Sequence, residues 1–408
     1  MSTMSTYPPR PQLDRKSAKN LRIQIRKVIS LFRTKSQRRL SSPKVWLGDE
    51  KLPTVVEITC STPDIPTSQT ALVVARKGEY ELRSNHDMPK LESDDEVIIR
   101  THAVGLNPID WKSVSYNFCL PSFPHITGRE MAGVVERVGT NVTHLQPGDP
   151  VWTSTYYRDP RAGCFQEYVT VPQHTVHPIP RGLSFEEASC LGVGALTAAM
   201  TLWKWLDVPV SDAAASEVRG EGEGEWIFIW GGSTVTGQFA TQIAKLGGLR
   251  VITVCSGRTA ELSRALGADH VVVRDGRAEA DILAEVERVT AGGVTRMLDL
   301  VGPKTAAACV RLCMSESQKG RRVVFAPLAM IGKEEVLEWV EVVTVEMKRF
   351  VLNVECGEYG RRLNDLFEAS ELKLPELEVL RGGLSVVEQG LEMLKLGNMG
   401  GKKLVVAM

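Results

Sequence analysis

The stretch Trp226-Ile-Phe-Ile-Trp-Gly-Gly-Ser-Thr-Val-Thr-Gly237 decides the fold. Five apolar residues, typical of a buried strand, run into a loop of small residues that opens an amphipathic helix over 238–246. A loop without bulky side chains lets backbone N–H groups and the positive end of a helix approach a pyrophosphate. Strand, loop and helix in this order therefore predict a dinucleotide-binding site at 232–237.

A tight strand-to-helix turn without a ligand is the alternative interpretation of this loop. The hydroxyls of Ser233, Thr234 and Thr236 make it less attractive, because they can donate hydrogen bonds to phosphate oxygens.

Apolar strands and helices alternate after this loop. Further strands are predicted at 250–254, 270–273, 297–301 and 322–326. Repeated strand–helix–strand units with apolar strands indicate a parallel, doubly wound sheet, so we predict a Rossmann domain over 201–350 and an α/β fold class. The acidic, glycine-rich segment 211–225 is predicted to be a surface loop.

Short β-rich runs precede this domain and are separated by turn residues such as Pro147-Gly-Asp-Pro150. They predict a compact, barrel-like substrate domain over 67–200, with helical periodicity from 184 to 206 marking the crossing into the next domain. The last strand candidate, 403–407, follows the glycine turn at 397–401. Residues 351–408 are therefore predicted to return to the substrate domain.

The N-terminal residues 1–66 differ from the rest of the chain. Basic residues cluster between Arg15 and Arg39, while Asp14 is the only acid before Asp49. We interpret the segment as a disordered basic extension or a mis-assigned start; a basic amphipathic helix resembling a mitochondrial presequence, or a membrane-surface segment, is the other interpretation.

The overall composition excludes several classes of partner. Lys plus Arg and Asp plus Glu both total 49 in 408 residues, which gives no reason to expect nucleic acid or an acidic membrane as partner. No run approaches the roughly 18 apolar residues of a membrane span. The eight cysteines are scattered and predict free thiols in a reducing compartment. We expect a cytoplasmic protein, with mitochondrial import as the alternative.

The residues after the second Rossmann strand favour NADPH. An NAD-specific site places an acid about 20 residues after the glycine loop, but this chain has Cys255, Ser256, Gly257 and Arg258 there. Without a carboxylate to repel a 2′-phosphate, Ser256 can donate a hydrogen bond, and Arg258 or Arg264 can donate a charge-assisted one. The alternative is that the arginines are solvated helix residues.

Metal chemistry is not predicted. The chain has no four-cysteine cluster, and Cys309 and Cys313, the closest pair, lie in an apolar helical run as core residues do. Hydride addition to a polarised C=C bond needs only a cofactor, positioning and a proton source, whereas alcohol oxidation benefits from a Lewis acid. We therefore expect a zinc-independent reductase of C=C bonds.

The chain resembles the medium-chain dehydrogenase/reductase superfamily, and within it the trans-acting enoyl reductases of fungal polyketide synthases. The resemblance covers about 70–408 and rests on Val104-Gly-Leu-Asn-Pro-Ile-Asp-Trp-Lys112, Gly128-Arg-Glu-Met-Ala-Gly-Val-Val135, Gly163-Cys-Phe-Gln-Glu-Tyr-Val169, Trp230-Gly-Gly-Ser-Thr-Val-Thr-Gly237 and Gly401-Lys-Lys-Leu-Val-Val406. It implies a GroES-like substrate domain beside the Rossmann domain. Zinc-dependent relatives carry a Cys in the loop matched by 106–110 and a His at the position of Arg129; both are missing.

The resemblance also implies roles for individual residues. Lys112 is the catalytic candidate, for polarising a thioester or guiding protonation, with an ordinary solvated lysine as its alternative. The candidates for cofactor binding are Ile109, Asp110, Trp111, Lys112, Gly232, Ser233, Thr234, Val235, Thr236, Gly237, Ser256, Gly257, Arg258, Thr259, Arg274, Phe325, Ala326 and Gly400. The candidates for bordering the substrate, which equally suit helix packing, are Thr197, Ala198, Ala199, Met200, Thr201 and Leu202.

The reaction implied is hydride transfer from NADPH to the β-carbon of an α,β-unsaturated thioester. The partner would be a polyketide synthase, with or without a peptide-synthetase module, that presents the substrate on a carrier domain; the reductase itself is expected to be a monomer. Two alternatives are a free-standing quinone or enone reductase of the zinc-independent branch and a nucleotide-binding regulator without activity.

Overall fold

The computed structural model of the protein describes residues 66–156, 158–210, 225–328, 330–332 and 336–408. The predicted N-terminal extension, apart from Pro66, and the acidic segment 211–224 therefore lie outside the described residues. Asp64–Met408 form one compact unit that contains both predicted domains.

Sixteen strands are found in the described ranges. In chain order they are β1 Ser68–Arg76, β2 Glu79–Asp87, β3 Glu96–Gly105, β4 His125–Ile126, β5 Glu130–Val138, β6 Pro150–Ser154, β7 Tyr168–Pro172, β8 Val176–Pro178, β9 Trp226–Trp230, β10 Arg250–Cys255, β11 His270–Val273, β12 Val294–Asp299, β13 Val323–Pro327, β14 Val340–Val342, β15 Leu377–Arg381 and β16 Lys403–Ala407.

The α-helices of the same ranges, also in chain order, are α1 Pro108–Tyr116, α2 Phe185–Ala188, α3 Leu196–Met200, α4 Val235–Leu246, α5 Ala260–Ala265, α6 Glu279–Thr290, α7 Pro303–Leu312, α8 Arg349–Leu352, α9 Gly357–Glu368 and α10 Val387–Leu396. Two π-helical turns, Leu191–Ala195 and Thr201–Trp205, flank α3 and make the stretch from α2 to Trp205 almost continuously helical.

The β-rich domain is built from two sheets. The larger has the order β15-β16-β3-β5-β6-β8 with β7 also paired to β3, and the smaller has the order β2-β1-β4. Their apolar faces enclose one core that includes Ile99, Met131, Phe165 and Val406. β16 pairs antiparallel with β3, Val405 opposite Gly105, so the end of the chain lies inside the sheet of the first domain.

The second domain is a six-stranded parallel sheet of order β11-β10-β9-β12-β13-β14. Apolar clusters cover both faces, as expected when helices pack on each side of strands such as Trp226-Ile-Phe-Ile-Trp230. The strand order reverses between β9 and β12, the position where doubly wound folds bind their ligands. The predicted α/β fold, with a β-rich domain and a Rossmann domain, is confirmed.

Some strands were not predicted from the sequence. β2 reads Glu-Tyr-Glu-Leu-Arg-Ser-Asn-His-Asp, without an apolar run, because it is an edge strand held by backbone pairing to β1. β14 and β15 are short and half-exposed. In the parts of the chain that the structure describes, no helix is long and apolar enough to cross a membrane.

Candidate active site

The loop after β9 is shaped for close approach of a ligand to the backbone. A Cβ at Gly232 would lie 2.5 Å from Thr253 Cβ, and one at Gly237 would lie 2.3 Å from Gly231 O, so larger side chains are excluded. The Thr234 hydroxyl donates to Gly231 O at 2.8 Å and accepts from the Gly237 N–H at 3.0 Å, which caps α4. The positive end of a 12-residue helix thus faces the sheet edge at which the strand order reverses.

The C-terminal glycine turn lies against this loop. The buried amide of Gln238 donates to Ser233 O at 3.1 Å and to Gly401 O at 2.6 Å. Gly400, at φ +64°, has the Arg258 guanidinium within 3.9 Å of the point where a Cβ would stand. The structure therefore brings together Ser233, Arg258 and Gly400, three predicted site residues that are far apart in the sequence.

A cavity of about 730 Å³ opens at this junction. It is lined by Arg258, Gly400, Lys402, Glu378 and Met393, among others. Arg258 is exposed and has no ion-pair partner among the described residues. Arg264, the alternative cation, is instead paired with Glu261. Of the two arginines, Arg258 is the one that remains available to a ligand.

The expectation that no carboxylate lies near the predicted 2′-phosphate position is wrong. The stretch 255–258 contains no acid, but the Asp275 carboxylate accepts a hydrogen bond from the Gly257 N–H at 2.8 Å. The parallel pairing of β10 and β11 places the ends of both strands at one edge, and Asp275 follows β11. Arg274, one of the predicted cofactor contacts, is exposed at the same edge, where its backbone N–H donates to Cys255 O at 3.0 Å.

The hydroxyls of Ser256 and Thr259 are hydrogen-bonded to each other. Ser256 Oγ and Thr259 Oγ1 are 3.0 Å apart, and Thr259 is buried. Ser256 is half-buried and Gly257 exposed, so these two, with Arg258, are the members of the predicted 256–259 group that a cofactor can reach.

The first turns of α1 carry three further predicted cofactor contacts. Ile109, Trp111 and Lys112 are half-buried, and Lys112 Nζ lies 5.7 Å from the centroid of the Trp111 ring, in the range of a cation–π contact. No described acidic side chain pairs with Lys112, so its ammonium group can interact with a bound molecule.

Asp110 does not fit the role of a side-chain contact to the cofactor. It is fully buried, and its Oδ2 accepts the Asn107 N–H at 2.9 Å, which closes the capping box of α1. Burial raises the pKa of Asp110 to about 6, against the opposing effect of the positive charge of Arg129. Its place in the motif is explained by helix capping.

Other predicted contacts are also enclosed in the core. Thr197 is 6% exposed, and the five residues after it, through Leu202, are 0% exposed. They belong to the helical stretch that packs on α4 between the two domains, so their side chains cannot border a substrate. Phe325 and Ala326 are fully buried, one in each of the two clusters that flank the Rossmann sheet, which leaves only their backbone for a cofactor.

Two charged residues near the site escaped the sequence analysis. Arg129 Nη2 donates to Ser113 Oγ of α1 at 3.2 Å, which puts a second cation beside the Lys112 helix. Asp299 ends β12 opposite Trp230, and its Oδ1 is buried without a hydrogen-bond partner. Arg129 belongs to a motif quoted above and Asp299 to the strand predicted at 297–301, but nothing in the local sequence showed that their side chains would lie near the site.

The residues do not fit a zinc site. Across the described ranges, no group of three or more His, Cys, Asp or Glu side chains is arranged to hold a metal ion. At the position that the resemblance assigns to a zinc-binding His stands Arg129, whose guanidinium donates hydrogen bonds and cannot act as a ligand.

A second cavity, of about 1850 Å³, lies elsewhere. It borders Ile243, Leu246 and Gly247 at the C-terminal end of α4, together with α9 residues such as Arg361. A 12-residue helix is about 18 Å long, so this cavity is well separated from the glycine loop at the other end of α4. It contains none of the predicted site residues.

Two family models match the chain. The model "Alcohol dehydrogenase GroES-like domain" matches residues 93–181, and the model "Zinc-binding dehydrogenase" matches residues 236–349. These matches fall on the β-rich domain and the Rossmann domain, respectively.

The curated relatives are fungal enzymes. The trans-enoyl reductase traG of Penicillium crustosum is 30% identical over 373 residues, covering 85% of this chain and 98% of that protein. The trans-enoyl reductase caaB of Aspergillus niger is 28% identical over 372 residues, covering 85% of this chain and 99% of the relative. Similarity therefore extends over both domains and almost the whole of each relative.

Solved structures show the same fold. The CurK enoyl reductase superposes with a TM-score of 0.67 at 21% identity, covering 84% of this chain and 99% of that one. A quinone oxidoreductase of Pseudomonas syringae superposes with a TM-score of 0.66 at 22% identity, covering 83% and 100%. With the sequence relatives, these likenesses establish that the chain belongs to the medium-chain dehydrogenase/reductase superfamily and, within it, to the family of the fungal trans-enoyl reductases.

Proposed function

We propose that the protein is a trans-acting, zinc-independent enoyl reductase that transfers hydride from NADPH to the β-carbon of an α,β-unsaturated polyketide thioester. The thioester would be held by a carrier domain of a separate synthase. The observation that carries the proposal is the meeting of the glycine loop with the C-terminal glycine turn and Arg258 beside an open cavity. The names of the relatives support the acyl thioester as acceptor.

The preference for NADPH rests on the balance of charge at the adenosine end. Arg258 is available to a 2′-phosphate, and the guanidinium can donate two hydrogen bonds to it. Asp275 opposes such binding, but its carboxylate already accepts the Gly257 N–H. We infer that Arg258 outweighs Asp275, because the carboxylate is engaged by the Gly257 N–H while the exposed guanidinium has no ion-pair partner among the described residues.

The residues of the chain supply positioning, charge and exclusion of water. When bound, NADPH supplies the hydride. Its addition to the β-carbon leaves negative charge on the thioester oxygen, and a proton must then reach the α-carbon. Lys112 can stabilise that charge, and it or a nearby water can deliver the proton. The products are NADP⁺ and the saturated thioester.

NADPH oxidation with three acceptors tests the proposal. The same enoyl group is offered as a short pantetheine thioester and as a thioester loaded on a carrier domain, with a simple quinone alongside. Turnover of both thioesters, faster with the carrier, is expected. Turnover of the quinone alone would contradict the proposal and identify a free-standing quinone reductase.

The cytoplasm is the proposed compartment. All seven described cysteines are free, and six of them are buried. Free thiols support a reducing environment.

A further inference from the structure

A buried ion pair joins distant segments of the chain behind the active site. Lys403, the first residue of β16, is 2% exposed, and Glu130, the first residue of β5, is 0% exposed. The Lys403 ammonium donates to Glu130 Oε1, to Asn107 Oδ1 at 2.9 Å and to Leu106 O at 3.0 Å. All three of its protons are therefore used.

The carboxylate is equally saturated. Glu130 Oε1 also accepts from Asn107 Nδ2 at 2.8 Å, and Glu130 Oε2 accepts the N–H of Val193 at 2.5 Å. Asn107 Nδ2 further donates to Gly105 O at 3.3 Å. Because both ends of the Asn107 amide are bonded, the residue is held in one orientation.

There is no free space around this cluster. A Cβ at Gly105 would lie 2.5 Å from Glu130 Oε1, and a Cβ at Gly192 would lie 2.8 Å from Glu130 Cβ. Apolar residues could fill such a site, and burying a charge pair is not by itself a gain in stability. A charge pair whose hydrogen bonds are all made fixes orientation, because each hydrogen bond holds one segment of the chain relative to the others.

Each segment bonded by this cluster continues into a part of the candidate site. Asn107 is the N-cap of α1, which carries Lys112. Lys403 follows the turn whose Gly401 O is bonded to Gln238 beside the glycine loop. Val193 lies in the π-helical turn where a Cβ at Gly194 would meet Val235 Cγ1 at 2.6 Å, so this turn packs on the start of α4.

We propose that Lys403, Glu130 and Asn107 form a positioning cluster. The cluster fixes the start of α1, the helix that carries Lys112, relative to the glycine loop, and so sets the distance over which hydride is transferred. In this proposal none of the three touches the substrate; they act through the position of α1. The inference rests on the proposed function insofar as hydride transfer is the step affected.

The full-length chain with Lys403→Met and Glu130→Gln together tests the cluster, since this pair of changes removes both charges and leaves none unpaired. Lys245→Met is the matched control, because it removes a lysine bonded to Asp269 on the surface, away from the cleft. Three quantities are measured for each protein: thermal unfolding, the NADPH dissociation constant, and the single-turnover rate of hydride transfer with NADPH and with its 4-deuterated form.

In the double variant, the rate of hydride transfer is expected to fall by about 10- to 100-fold, the effect of displacing a reacting group by about 1 Å. The NADPH dissociation constant should change less than about threefold, because the glycine loop and Arg258 are untouched. A deuterium isotope effect on the single-turnover rate shows that hydride transfer is the step measured. Lys245→Met should match the wild type in all three measurements. A folded double variant with the wild-type rate of hydride transfer would overturn the proposal.

Should the double variant fail to fold, Asn107→Ser decides the question, since it keeps a capping side chain and both charges but removes the amide bridge. A rate at least about fivefold below the wild type supports the cluster, and an unchanged rate overturns it. Wild-type protein assayed in parallel separates the two proposals. If it reduces only a quinone, the proposed function fails, but the variants still test the cluster with the quinone as hydride acceptor. If it reduces no acceptor, both proposals fall.

Discussion

The two ends of the cleft are built differently. At the proposed adenosine end, Gly257, Arg258 and Arg274 are exposed, and Arg258 lines an open cavity. At the proposed nicotinamide end, the N-cap of α1 is bonded to Asp110 and Glu130, both fully buried. Under the proposed function, the exposed charges at the first end would select the cofactor, while the hydrogen-bonded network at the second would hold the geometry of the reaction.

The largest expected effect comes from adding a methyl group next to the buried Glu130. Gly105→Ala would place a Cβ 2.5 Å from both Glu130 Oε1 and Ser189 O, and we expect the free energy of unfolding to fall by about 3 kcal/mol. At the adenosine end, Gly400→Ala meets nothing closer than 3.8 Å, so only the strain of its φ of +64° remains, about 1 kcal/mol. Urea unfolding of both variants measures the contrast; equal losses would remove the distinction between the two ends.

The pH dependence of stability should reveal the buried carboxyl. Burial raises the pKa of Asp110 from its ordinary 3.8 to about 6 in the folded state, so folding favours the protonated form. That stabilisation is complete below pH 3.8 and is lost as the pH rises through 6. Relative to Asp110→Asn, which does not titrate, the wild type should lose about 2.4 kcal/mol between pH 4 and pH 8. Urea titrations at both pH values test this, and parallel pH profiles would contradict the burial.

Lys112→Ala should separate chemistry from binding. Loss of the ammonium is expected to lower kcat about 100-fold, in the range of one acid–base or electrostatic group, with little change in NADPH affinity. Lys319→Ala, on the surface of the Rossmann domain, is the control and should retain full activity. Equal activity of Lys112→Ala and wild type would remove Lys112 from the mechanism.

The smallest effects are expected at the adenosine end. Arg258→Ala should weaken NADPH about tenfold, the loss of one charge-assisted contact, and leave NADH unchanged. Asp275→Asn should have the opposite sign and tighten NADPH about two- to threefold, because a carboxylate near the phosphate is removed. Titration of both cofactors by fluorescence compares the variants. An equal loss for NADPH and NADH in Arg258→Ala would refute the assignment of the 2′-phosphate.

Structural features that depend on residues close together in the sequence could be predicted from it. The strand, glycine loop and helix at 226–246 could be recognised because the steric needs of Gly232 and Gly237 are met within that unit and the adjacent strand. Asp275 and Lys403 could not be assigned in this way, since parallel and antiparallel pairing across the sheets brings them to the site. The same reason explains the misplaced contacts at 197–202: helical periodicity identified the helix, but not that both its faces would be covered.

The position of β16 in the sheet has a consequence for how the protein is made. This strand lies between β15 and β3 in the larger sheet of the first domain, yet it follows every strand of the Rossmann domain in the sequence. The Rossmann strands are all contiguous in the chain between 226 and 342 and can pair while synthesis continues. The domain translated first lacks β15 and β16 until the Rossmann strands have been made, so it completes its larger sheet only after the Rossmann domain has been synthesised.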